Sequence, residues 1–203
     1  MRKNSREKIL ETARLLFPRY GFNGISIRAI AAKARLTTGA VYFHFHNKKD
    51  IYKAICLEAI DLLVSKFRQR MAERETPNQK LISTYDTYIE FFSEHRDYYN
   101  ILMEVKADYD PGGDDIQVVV ERFKEVIYMS EDPIQMGIDQ GIFRDIDPKK
   151  LSIFLAAVTE GMLQYKKLGI LDYLNISDSD FRTFMADIVG RGIEKRVNEK
   201  PAT

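Results

Sequence analysis

Apolar residues return every three to four positions through almost the whole of this 203-residue chain, and nowhere does the apolar and polar alternation of a half-buried strand appear. That period restricts the chain to an all-α fold, because an amphipathic helix buries one stripe and needs other helices to bury it against. Caps and stops divide the pattern into about nine helices. Ile9, Ala13, Leu16, Phe17 and Tyr20 mark a first helix over residues 5–20, capped by Asn4 with Glu7, distorted near its end by Pro18 and closed by Gly21. Ser26 caps a short second helix with Ile27, Ile30, Ala31 and Ala34 inward. Leu36 sits in the following turn, and Thr37 caps a third helix of about two turns whose Val41 and Phe45 point to the core. Asn47 with Asp50 opens a long fourth helix, residues 47–73, through Ile51, Ile55, Ala59, Leu62 and Leu63.

Past the break at "ETPNQ", Leu81, Ile82, Tyr85, Ile89 and Phe92 trace a fifth helix, and Tyr98, Leu102, Met103 and Val105 a sixth. "ADYDPGGDD" reads as a loop. Ile116, Val119, Val120, Phe123 and Ile127 begin a seventh helix, kinked at Pro133 and stopped by Gly141. Asp147 and Pro148 open an eighth, bearing Leu151, Phe154, Leu155, Val158, Met162 and Tyr165. Ser177 with Asp180 opens a ninth through Phe181, Phe184, Met185, Ile188 and Val189.

The formal net charge of +1 conceals an asymmetry. Residues 1–53 carry 12 Lys and Arg against 3 acids, a net of +9, and the remainder carries 19 against 27, a net of −8. A basic first quarter on an acidic body fits a module that meets a polyanion, joined to a part that does not. A solvated pair of cationic helices is the alternative. No window approaches the roughly eighteen apolar residues of a membrane span, and the charged start "MRKNSREKIL" lacks a signal-peptide pattern, so the expectation is a cytoplasmic protein with no membrane partner. A single cysteine, Cys56, cannot form an internal disulfide and is expected to be buried on the fourth helix.

Three short helices with a tight turn between the second and third have the proportions of a helix-turn-helix, over about residues 26–45. This gives a purpose to Gly39, which costs a helix about 1 kcal/mol relative to alanine. At the outer N-terminal turn of a recognition helix, a residue without Cβ lets the backbone and neighbouring threonines approach base edges or phosphates. A packing glycine against the first helix is the alternative. The Thr37 and Thr38 hydroxyls can bond phosphates or bases; Tyr42, His44 and Lys48 can hold the sugar-phosphate strand, and Arg28 the other side of the groove. His44 and His46, two apart on a helix, diverge, and no Cys or carboxylate stands at ligand spacing, so no metal site is expected. With no Gly-rich phosphate loop and no nucleophile elbow, neither an enzyme nor a cofactor is expected.

"ISIRAIAAKARLTTGAVYFHFHNKKDIY", preceded by "ILETARLLFPRYGF", resembles the DNA-binding region of TetR-type transcriptional regulators over roughly residues 5–60. It departs from that pattern at Pro18 and Asn47, neither on the readout surface. The resemblance implies a DNA surface made of Arg28, Thr37, Thr38, Gly39, Ala40, Tyr42, His44 and Lys48. It implies a DNA-binding domain over residues 1–50 and an effector-binding and dimerisation domain over 51–203. It further implies a homodimer formed through the eighth and ninth helices, the alternative being that their apolar surplus is buried within one chain, and an effector pocket to which Phe92, Tyr98, Leu102, Phe123, Ile127 and Met162 are the candidate contributors, with ordinary core as the alternative role of each. The function so implied is a repressor of a palindromic operator in double-stranded DNA, released by a small hydrophobic or aromatic ligand. A DNA-binding protein that activates, or that answers to a protein partner, is the other possibility.

Overall fold

The computed structural model describes residues 4–107 and 114–195, and these contain eleven α-helices, one 3-10 turn and no strand. The helices are α1 (Ser5–Tyr20), α2 (Ile27–Ala34), α3 (Thr38–His44), α4 (Lys48–Ala72), α5 (Pro77–Glu94), α6 (Arg96–Ala107), α7 (Asp114–Ile127), α8 (Glu131–Asp139), α9 (Pro148–Lys167), α10 (Ile170–Tyr173) and α11 (Asp178–Ile193). The 3-10 turn, Tyr128–Ser130, lies between α7 and α8. The fold is all-α, with an N-terminal helix-turn-helix followed by a helical C-terminal region.

Short side chains fix where the helices begin, because the first N–H groups of a helix have no partner within it. Asn4 Oδ1 accepts from the Glu7 N–H at 2.9 Å, and the Asn4 N–H donates back to Glu7 at 3.2 Å. Ser26 accepts from Ala29 N–H and Thr37 from Ala40 N–H, each at 3.1 Å. Asn47 accepts from Asp50 N–H at 2.9 Å, and the Asp50 carboxylate accepts in return from His46 N–H at 3.2 Å, one residue before Asn47. Asp147 caps α9 ahead of Pro148, and Ser177 forms a full box with Asp180.

The structure departs from the sequence reading in four places. The seventh helix does not bend at Pro133 but breaks: α7 ends at Ile127, and Pro133 falls in the first turn of α8, where its missing N–H leaves no bond unmade. The four-residue α10 is an additional helix, entered through Gly169 at φ 72°. Tyr20 is exposed, and Leu10 and Thr12 are buried on α1 in its stead. Of the loop expected over residues 107–115, residues 108–113 lie outside the described residues, and α7 already begins at Asp114.

Two compact units organise the chain. One comprises residues 1–63 and 91–124. Phe17, Ile30, Val41, Ile51 and Ile55 are fully buried in it, as is Cys56. An aromatic cluster pins α4 to the loop after α1: Tyr52 meets Phe17 edge-on at 5.0 Å and Phe22 at 5.2 Å. The Tyr52 hydroxyl donates to the Ile101 carbonyl of α6 at 3.0 Å.

The second unit comprises residues 64–90 and 125–203. Ile134, Phe143, Leu151 and Ile193 form a cluster within it. Its chain exit is clamped by a two-residue antiparallel bridge, in which Arg144 N–H donates to Ile193 O and Lys195 N–H to Ile142 O. Gly137 makes room for the Phe143 ring, since a Cβ there would lie 2.0 Å from Phe143 Cδ2. A fork of Arg182 onto Asp86, at 2.6 and 2.9 Å, ties α11 to α5.

Candidate nucleic-acid interface

The turn between α2 and α3 is closed by backbone alone. Leu36 N–H donates to Ala31 O at 2.9 Å and Arg35 N–H to Ala32 O at 3.2 Å, with Arg35 in the left-handed region at φ 56°, ψ 45°. Thr37 then caps α3. Val41 and Phe45 bury one face of α3, and with Ile30 of α2 and Phe17 of α1 they seal the inner side of the helix-turn-helix. What remains outward is the opposite face.

On that face the structure brings together Thr37, Thr38, Gly39 and Tyr42, all exposed, with Ala40 and His44 half-buried beside them. Arg28 is exposed on the first turn of α2. A Cβ on Gly39 would come no closer than 3.9 Å to any neighbour, and that neighbour is the Thr37 hydroxyl. Packing therefore gives no reason for a glycine here, and the alternative of a spacer against α1 falls away.

Lys48 occupies a more committed position than the sequence suggested. Its ammonium donates to the carbonyls of Phe22 and Ile25 at 2.5 and 2.8 Å and lies 4.2 Å from the Phe22 ring centroid. It thus locks the start of α4 to the loop between α1 and α2. An ammonium has three donors, so one N–H remains beyond these two carbonyls.

Sequence reasoning missed Phe43, whose ring is 85% exposed on the outer face and packs edge-on to His44 at 5.1 Å. The signal was available: with Val41 and Phe45 inward, helical spacing sends the residue between them outward. Arg6 lies over the buried Phe45 ring at 5.5 Å and holds α1 against the end of α3.

The six candidate effector residues divide between the units. Phe92, Tyr98, Leu102 and Phe123 belong to the first, Ile127 and Met162 to the second. Tyr98 already serves the first unit: its hydroxyl accepts from Arg14 of α1, which also pairs with Glu58 of α4 at 3.4 Å. Burial, with the Glu58 carboxylate beside it, pushes the Tyr98 phenol up to about 12. Phe92 packs edge-on to Tyr99 at 4.8 Å, and Met162 accepts from the Tyr85 hydroxyl at 3.7 Å.

Residues 9–55, which run from α1 into α4, match the family described as "Bacterial regulatory proteins, tetR family". The chain is also 26% identical over 165 residues to the HTH-type transcriptional repressor KstR2 of Mycolicibacterium smegmatis, covering 81% of this chain and 80% of that protein. The chain is similar to TetR-family regulators, through this N-terminal match and through its full-length relatives. The all-α fold is shared with solved structures over most of the chain. PfmR of Thermus thermophilus, a TetR-family transcriptional regulator, superposes with a TM-score of 0.70 at 21% identity, covering 96% of this chain and 100% of that one. KstR2 of Mycobacterium tuberculosis does so with a TM-score of 0.65 at 20% identity, covering 97% and 98%. The relatives that the chain resembles over most of its length are named as transcriptional repressors, among them AcnR of Corynebacterium glutamicum, 26% identical over 175 residues. No helix among the described residues is long and apolar enough to cross a membrane.

Proposed function

We propose that this chain is a cytoplasmic, homodimeric repressor that binds a palindromic operator through α2 and α3 and is released by a small, largely apolar ligand held within residues 51–203. The observation that carries the DNA half is the outer face of α3. A glycine that packing does not require stands between exposed threonines and Tyr42, on a segment whose first 53 residues have a net charge of +9. Arg28, Thr37, Thr38, Gly39, Ala40, Tyr42 and His44 form the contact surface in this reading, with the third N–H of Lys48 on a phosphate.

Dimerisation is supported by apolar side chains left exposed on the two helices expected to form the interface: Ile153, Phe154 and Tyr165 on α9, Phe184 and Ile188 on α11. A twofold pair doubles the few base pairs that one short helix can read, and places half-site centres about 34 to 36 Å apart, one helical turn. Effector control requires only about 1 to 3 kcal/mol of coupling, which lowers operator affinity some 5- to 150-fold. The name repressor for the relative of M. smegmatis supports that sign of control.

The test has two steps. A consensus is selected from random duplex DNA with the full chain, and its palindromy and spacing are read. Apolar candidates are then titrated into the protein–operator complex by fluorescence anisotropy, with calorimetry on the protein alone. A palindrome, and a ligand that both binds and releases DNA, support the proposal. A selected site without twofold symmetry overturns the dimer, and a protein that holds its operator against every ligand while a protein factor releases it replaces effector control by a partner.

A further inference from the structure

We infer that Arg35, in the turn between α2 and α3, grips the DNA sugar-phosphate backbone and sets the depth at which α3 enters the groove. This rests on the DNA-binding reading above and adds a residue to it.

Two residues other than glycine have positive φ among the described residues, Arg35 and Asn175, both at 56°. Asparagine tolerates that region because its short amide can bond locally, whereas an arginine brings a full Cβ into the following carbonyl and gains nothing in return. The backbone of the turn is already satisfied without help from the side chain, through Arg35 N–H and Leu36 N–H. Its guanidinium has no hydrogen bond, ion pair or ring contact with any described residue, and the residue is exposed. Nor is it needed as the cation at the end of α2, because Lys33 already stands in the last turn. The fold thus accepts a strained residue from which it draws no contact of its own, and strain of that kind collects where a ligand is held.

Position decides which ligand. Arg35 lies two residues before the Thr37 cap of α3, in the turn that leads into the helix carrying Thr38 and Gly39, and within the cationic first quarter of the chain. A guanidinium offers a planar fork of N–H donors that fits two phosphate oxygens, and it needs no base edge to do so. From the turn it would hold one strand while the face of α3 meets the bases.

The experiment compares the full-length chain with Arg35→Gly and Arg35→Lys on operator and unrelated duplexes over a range of salt, with thermal melting of each. Arg35→Gly is expected to melt at the same temperature or a few degrees higher, because glycine relieves the left-handed strain. It is expected to bind both duplexes about tenfold more weakly per subunit at 0.1 M salt, to lose about 0.9 per subunit from the magnitude of the salt slope, and to select the same consensus. Arg35→Lys should recover most of the slope. Binding by Arg35→Gly with the affinity and slope of the parent chain overturns the inference, and a changed consensus does so too, by making Arg35 a base reader. Failure of the parent chain itself to bind duplex DNA in a salt-dependent way would sink the underlying DNA reading, which is a separate result.

Discussion

At the scale of single residues, Gly39 and Lys48 show how differently two members of the proposed DNA surface are held. Gly39 has open space where a side chain would go, so its substitution separates folding from function. Gly39→Ala should stabilise the chain by about 1 kcal/mol through helix propensity. Gly39→Leu should melt no lower than the parent yet lose specific DNA binding, as measured by melting and anisotropy together; retention of operator affinity would refute the docking of α3. Lys48 is the opposite case, because two carbonyls depend on its ammonium. Lys48→Ala should cost about 1.5 to 3 kcal/mol of stability for the lost charged donors. If its third N–H meets a phosphate, the salt slope also falls by about 1 per subunit with the consensus kept. Denaturant unfolding and salt titration read the two effects independently. The threonines and the glycine were legible in the sequence because caps and helical spacing are local. The partners of Lys48 were not, since Phe22 and Ile25 lie 26 and 23 residues earlier and no spacing rule reaches that far. The strain at Arg35 was equally invisible, because the sequence shows an arginine and only the backbone shows its φ.

At the scale of elements, helix starts are more legible in the sequence than helix continuity. Asn4, Ser26, Thr37, Asp147 and Ser177 all accept the backbone N–H expected of a cap. The break between α7 and α8 has no such mark. An apolar period runs across Tyr128–Ser130 whether the backbone there is α or 3-10, so the periodicity alone predicts one kinked helix. The cap of α9 gives a pH signature. The Asp147 carboxyl sits below the usual carboxylate range, chiefly because it accepts the Lys150 backbone N–H. The folded chain therefore takes up that proton less readily than the unfolded chain, so the contribution of the cap is complete at neutral pH and disappears as the pH falls through the depressed folded value. Asp147→Ala should accordingly melt below the parent at pH 7, and the two curves should converge in acid. A difference that persists unchanged at pH 2 would place the effect of Asp147 elsewhere than in its charge.

At the scale of the whole molecule, the exposed apolar residues of α9 and α11 are legible as a surplus over what one helix face needs, although spacing alone sets Phe154 and Tyr165 on the same stripe as the buried Leu151 and Met162. Under the dimer proposal, Phe184→Glu should move the monomer–dimer equilibrium by about 2 kcal/mol or more, because a charge would be buried where an aromatic packed. Sedimentation reads the mass, and operator affinity should fall with it, whereas a monodisperse dimer of unchanged affinity would point to another interface. The lone thiol of Cys56, wholly sealed within the unit that carries α1 to α3, supplies a natural clock for that unit. A thiol reagent can reach it only when the surrounding helices part, so the labelling rate counts opening events without any introduced probe. Operator present at a hundredfold excess over its Kd would hold the closed form by about 2.7 kcal/mol and slow that clock about a hundredfold, making grip on DNA readable from the chemistry of one sulfur that never touches it.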